Sequence, residues 1–281
     1  MRVGVCFYGL ATVAFGILDL VWGKFEASHQ PIQALGNHIP GEQVLAYIAA
    51  VWMVAAGIAI LRRRTALMGA AGSALIYLIF ALFWVLRFYP ATRAFGFRIK
   101  VLIGVSFMVA ELLLLVAPAA IVYASTASPD SVWRKRAAIA ARWMLGLPPI
   151  AFGLDHLVNG QVFARIVPHW MPFGAFWVAL TGIAFLLAGT AIISGIRDVL
   201  AARLLVLMLL VLEIIVEIPP VFIQPHNQGA WGGAVYNVAA IGACWIFASF
   251  VASRKQTNRI KTGLAEHYAT ANPGEALATS S

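Results

Sequence analysis

The sequence predicts an all-α membrane protein: eight transmembrane helices arranged as two tandem four-helix bundles in parallel orientation. Three observations carry that expectation. The chain of 281 residues is 62% hydrophobic and only 11% charged, with a mean hydropathy of +0.86, whereas soluble domains carry about a quarter charged residues. Its apolar residues fall into eight runs, each near the roughly 20 residues that cross a bilayer. One stretch also occurs twice: residues 146–160 match residues 9–23 at eight of fifteen positions, at a constant offset of 137.

The runs lie at roughly 4–22, 44–61, 65–87, 100–123, 138–158, 173–195, 200–223 and 232–252. Hydrocarbon offers no partner to a backbone N–H or C=O, so each run must pair its own backbone and is read as a helix. Arg2 ahead of the first run resembles the start of a signal peptide. The same segment recurs inside the chain, beyond the reach of a signal peptidase, which favours a retained helix. In an eight-span topology fourteen of the twenty Lys and Arg fall on one side, among them Arg62, Arg63, Arg64, Arg134, Lys135 and Arg136. The other side holds Lys24, Arg87, Arg93, Arg98, Lys100 and Arg165. Basic loops stay in the cytoplasm, so both termini are expected there and the protein in a bacterial inner membrane. Orientation thus accounts for the net charge of +9, and nucleic acid is disfavoured as a partner.

The repeat continues past the first stretch. Pro31 matches Pro168, and after a five-residue excess in the first copy Pro40 matches Pro172 and Gly57 matches Gly189. Pro90 and Pro225 take equivalent places after the third span of each copy. Four spans is an even number, so the copies insert the same way up. Residues 1–125 form the first repeat, 126–252 the second, and 253–281 a cytoplasmic tail whose composition reads as disordered. Its basic cluster of Arg254, Lys255, Arg259 and Lys261 suits an anionic lipid surface, though a solvated tail that merely fixes topology is the favoured reading.

Ionisable side chains inside spans cost at least about 2.5–3.5 kcal/mol near the bilayer centre and are functional candidates. Here they are Asp19, Glu111, Asp155, His156, Glu213 and Glu217. The outer loops add His29, His38, His169 and His226, leaving only His267 for the tail, so a polar cavity is expected to open outward. Glu213 and Glu217 share a helix face. Pro219 and Pro220 follow them and free the carbonyls of Ile215 and Val216, as in the broken helices that line transporter sites. Pro148 and Pro149 interrupt the fifth span similarly, where the first copy has Ala11 and Thr12. The second copy is therefore expected to carry the site and the first to be scaffold. Asp155, His156 and Glu217 are the candidates for proton handling, and Asp19, His169, Glu213, His226 and Asn227 those for binding a ligand.

Structural alternatives stand beside these. Asp19 and Asp155 could be interfacial carboxylates paired with Arg87, Arg98, Lys100 or Arg165. His156 could be a hydrogen-bonded core histidine, since its helix neighbour Asp155 points about 100° away. The two cysteines, Cys6 and Cys244, form no C-x-x-C pair, which argues against dithiol chemistry and against a structural disulfide. Without an H-x-x-x-H or E-x-x-H pair no metal centre is predicted, and a single histidine within the spans cannot supply a bis-histidine haem.

At Phe152-Gly153-Leu154-Asp155-His156-Leu157, and on through the proline-rich loop 166–172 and Leu180-Thr181-Gly182, the sequence resembles the DoxX-like membrane proteins. The Pro225-His226-Asn227 turn is similar to the turn after that group's third span. The resemblance covers residues 140–230 best and extends through the duplication to 5–125. It implies a four-span helical bundle, here doubled, and for some members an association with quinol oxidation. The chain departs from the pattern at Asp19, which stands where the second copy has His156. Three readings follow: a redox-associated membrane subunit handling a quinone or other lipophilic molecule, with a partner subunit; a proton-coupled small-molecule transporter; and a non-catalytic membrane scaffold.

Overall fold

The computed structural model describes residues 1–30, 41–128 and 131–271. His38, Pro31 and Pro40 lie outside the described residues. Within them every element is helical: α1 (Arg2–Trp22), a 3-10 turn (Ala27–His29), α2 (Glu42–Leu61), α3 (Ala66–Leu86), α4 (Phe88–Phe95), α5 (Ile99–Thr126) and α6 (Val132–Val158). Then come α7 (Gly160–Phe163), α8 (Gly174–Ser194), α9 (Asp198–Leu212), a π turn (Glu213–Glu217), α10 (Ile218–Ile223) and α11 (Gln228–Ala271). Eight helical stretches of the described chain are long and apolar enough to cross a membrane: α1, α2, α3 with α4, α5, α6, α8, α9 through α10, and α11. The protein is a multi-pass membrane protein in build, with spans close to those the apolar runs delimit. One end differs from the composition-based reading. α11 runs on through Arg254, Lys255 and Arg259, part of the stretch expected to be disordered, as far as Ala271.

Neighbours in the chain are neighbours in space. α1 packs on α2, α2 on α3, α3 on α5, α5 on α6, α6 on α8, α8 on α9 and α9 on α11. α11 then returns to α1 and also touches α5. The main partner that closes α1 is thus α11 and not α5, the last span of its own half. Apolar burial drives no association between helices in lipid, so small residues that admit backbone contact set these pairs. A Cβ on Gly57 of α2 would lie 2.8 Å from the Gly9 carbonyl of α1, and one on Gly189 of α8 2.6 Å from the Gly146 carbonyl of α6. At the α1–α11 contact a Cβ on Gly4 would lie 2.9 Å from the Gly242 carbonyl.

An ionic cluster around one buried carboxylate, not singled out by the sequence, pins one end of the second half. Asp198, fully buried at the start of α9, accepts from Arg142 Nη2 of α6 at 2.8 Å and from Lys255 Nζ of α11 at 2.5 Å. Its Oδ1 also takes the Val199 N–H at 2.8 Å, and a carboxylate at a helix N-terminus is favoured by the helix dipole. Arg142 Nη1 continues the link to the Ile192 carbonyl of α8. Four helices are held at one level by one carboxylate and one guanidinium.

Candidate functional site

His156 lies fourteen residues beyond Arg142 on α6, which is about 21 Å along a helix axis. At that far end α5, α6, α8, α9, the π turn and α11 line a partly open cavity of about 430 Å³, roofed by the loop after α7. Its walls are mainly apolar and aromatic, with Phe107, Phe152, Phe163, Phe185 and Trp177 among them. Six polar side chains face it from five elements: Glu111 from α5, His156 from α6, Thr181 from α8, Glu217 from the π turn, and Tyr236 and Asn237 from α11.

Each is set by its surroundings. His156 Nδ1 lies 2.8 Å from the Phe152 carbonyl. A carbonyl only accepts, so Nδ1 carries the proton in that contact and Nε2 remains the ring's acceptor. The imidazole stacks on Phe163 with ring centres 4.0 Å apart and an interplanar angle of 14°. Asn237 Nδ2 donates to the Leu209 carbonyl at 2.8 Å and to Glu213 Oε2 at 3.0 Å. Glu213 is therefore buried and taken up by a structural partner. Glu217 sits over Gly233, where a Cβ would lie 2.5 Å from Oε2. Asn237 and Gly233 are four residues apart on α11, so the two glutamates do share a face. The π turn keeps them there: Ile218 N–H donates to the Glu213 carbonyl, one residue wider than an α-helical bond, in the interval where Pro219 and Pro220 withhold their donors. Among the described residues no hydrogen bond reaches the carboxyl groups of Glu111 or Glu217.

The other sequence candidates fall elsewhere. Asp155 points toward α5, where it accepts from Asn159 Nδ2 at 2.5 Å, and Asn159 also donates to the Lys100 carbonyl at 3.1 Å. His169 is exposed on the loop beside the roof. His226 and Asn227 border a separate open depression with Trp22 and Lys24. Asn227 Oδ1 there accepts the Gly229 N–H at 3.0 Å and starts α11.

Asp19 belongs to a packed cluster built mainly from the first half and joined by Gln228 of α11. Its Oδ1 accepts from the Glu26 N–H at 2.8 Å and from Gln228 Nε2 at 3.4 Å, and its Oδ2 lies 3.7 Å from His29 Nδ1. His29 is fully buried between Phe15 and Phe80, 4.6 and 4.5 Å away by ring centres. Phe25, from the segment between α1 and the 3-10 turn, packs edge-on against Phe80 beside it, so the interior there is filled by side chains. Trp84 Nε1 fixes that turn through the Ser28 carbonyl at 2.6 Å.

Sequence reasoning puts His156 and Glu217 forward for proton handling, counts Glu111 among the ionisable groups of the spans without a role, and leaves out Tyr236 and Asn237. The signal for Glu111 lies in packing, because α5 meets α6 and α11 of the second half. Cys6 is exposed on α1 and Cys244 buried in α11. Among the described residues no three His, Cys, Asp or Glu side chains gather as a metal site. No family model, curated protein or solved structure matches the chain.

Proposed function

We propose that the protein binds a lipophilic small molecule of the quinone type in the second-half cavity, with His156, Glu217 and Glu111 around the ligand's hydrogen-bonding head. One observation carries this reading: two carboxyl groups that accept no hydrogen bond among the described residues, and an imidazole acceptor, border a mainly apolar, aromatic chamber of about 430 Å³. Buried polar groups are kept only where something meets them. A cavity of this size and character falls within the range of small-molecule sites. A quinone or quinol head offers carbonyl or hydroxyl oxygens to these groups, and its tail suits the Phe and Leu walls. The reading extends to a redox-associated inner-membrane subunit of DoxX-like type with a partner subunit, and there it rests on the motifs at 152–157 and 166–172.

The same proposal holds that the halves are repeats in parallel orientation with both termini cytoplasmic. In support, α2 and α8 begin at Glu42 and Gly174, and α3 and α9 at Ala66 and Asp198, 132 residues apart in both cases. The Gly9–Gly57 and Gly146–Gly189 contacts also fall at matching positions. In this arrangement the halves interlock, each first span packing on the other half's last.

The binding experiment uses a decyl-substituted 1,4-benzoquinone and the purified protein in lipid nanodiscs, read by quenching of tryptophan fluorescence. Saturable quenching that weakens at least about tenfold in Ala184→Trp, which fills the cavity from α8, supports the proposal. Wild-type affinity in that variant would sink it. A second reading, a proton-coupled transporter, is favoured by the π turn that carries Glu217 beside Pro219, since broken helices line transport sites. Ligand-driven proton uptake in proteoliposomes, lost in Glu217→Gln, would select it.

A further inference from the structure

We propose that the cavity is filled from within the bilayer, through the seam between α8 and α9, by a neutral lipophile that travels dissolved in the membrane. This rests on the ligand-binding reading above. Leu180 on α8 and Val211 on α9 both line the cavity, yet they remain 45% and 46% exposed. A side chain that is at once chamber wall and outer surface of a spanning helix marks where the wall is one residue thick. Both are aliphatic, so a lipophile crosses between them without desolvation, whereas an ion or a sugar would lose its hydration there. The loop roof presents only apolar side chains to the chamber, Ile166, Val167, Pro168 and Met171, which offer an ion or a sugar nothing in exchange for its water.

The first half shows the same seam shut. Between α2 and α3 the indole of Trp52 reaches across, and its Nε1 donates to the Gly72 carbonyl at 3.0 Å. Trp52 is the eleventh residue of α2, and the eleventh residue of α8 is Ala184, a cavity-lining methyl. The half whose interior is packed with Phe25 and His29 carries a latch. The half with a chamber has no side chain of that reach at the matching place. The geometry therefore assigns the α8–α9 seam as the portal and lipid as the source of the ligand.

The test measures association rates by stopped-flow tryptophan quenching with the wild-type protein in nanodiscs. The probes are alkyl-1,4-benzoquinones of increasing chain length, supplied at equal mole fraction in the membrane. Entry from lipid predicts equal rates along the series. Entry from water predicts a fall of about fourfold per added methylene, because the aqueous concentration drops by that factor at each step. In a second arm Leu180→Cys and Val211→Cys are combined in a Cys6→Ser background and bridged with a bifunctional thiol reagent. Bridging should slow association at least tenfold relative to the same protein before treatment. Saturable binding whose rate follows the aqueous concentration, or is indifferent to the bridge, overturns the portal and leaves the ligand reading standing. No saturable quenching by any probe overturns both.

Discussion

At the scale of single residues, the division of labour between His156 and its neighbours decides what the site can recognise. The Phe152 carbonyl holds Nδ1 and Phe163 holds the ring plane, so Nε2 is left as an acceptor in a fixed orientation. His156→Phe keeps the stacking surface and removes that acceptor. Binding of an alkylhydroquinone, which donates hydroxyl hydrogens, should weaken about tenfold, the worth of one hydrogen bond, with little change in thermal stability. An unchanged affinity would return His156 to the role of a core histidine. Asp198 makes the contrasting case, because its work is to hold helices and it lies far from the cavity. Asp198→Ala strands Arg142 and Lys255, which are 27% and 48% exposed at the side chain. Removing one member of a buried pair costs about 3–5 kcal/mol, and partial exposure of both cations brings the expected loss nearer about 2 kcal/mol. A lowered melting temperature in detergent, with quinone affinity retained in the folded fraction, is the expected result.

At the scale of elements, the prolines after Glu217 shape the site more than they break the span. With Pro219 and Pro220 unable to donate, the helix widens into the π turn at Glu213–Glu217, and Glu213 and Glu217 meet Asn237 and Gly233 of α11. Changing both prolines to alanine restores two i→i−4 donors and favours a regular α-helix. That change should shift the register of Glu217 against Gly233 and lower quinone affinity severalfold while helical content, read by circular dichroism, stays the same or rises. An affinity equal to wild type would mean that the π turn has no part in binding. Elements of this kind were legible in the sequence to unequal degrees. The spans were readable because hydrocarbon imposes a length and leaves each backbone to pair with itself, so apolar runs become helices whatever their neighbours. The prolines announced a distortion but not its form, which depends on whether the freed carbonyls are met by the next amide along. Glu111 was readable as costly and not as belonging to the site, because helices apolar on nearly all faces carry no periodicity that tells which neighbour each face will meet. Asn227 beside Pro225 and His226 invited a ligand role, yet its side chain is spent on the first turn of α11.

At the scale of the whole molecule, the packing order makes the two halves mutually dependent. The circuit of helices runs from α1 through α5 into α6 and returns from α11 to α1, so cutting the chain between α5 and α6 severs no interhelical contact but exposes two large interfaces. One interface is α1 on α11, with the backbones of Gly4 and Gly242 in contact; the other is α5 on α6. The cavity straddles the second, because Phe107 and Glu111 of α5 form a wall that no residue after 131 supplies. Co-expression of residues 1–128 and 131–281 as separate chains, with an affinity tag on one only, should therefore yield both in a single complex that still binds the decyl-benzoquinone. The second fragment alone should be recovered poorly and show no saturable quenching, although it carries His156, Glu217, Tyr236 and Asn237. Binding by the isolated second fragment at full affinity would show that the site is complete within one half, and that the α5 wall with Glu111 is dispensable.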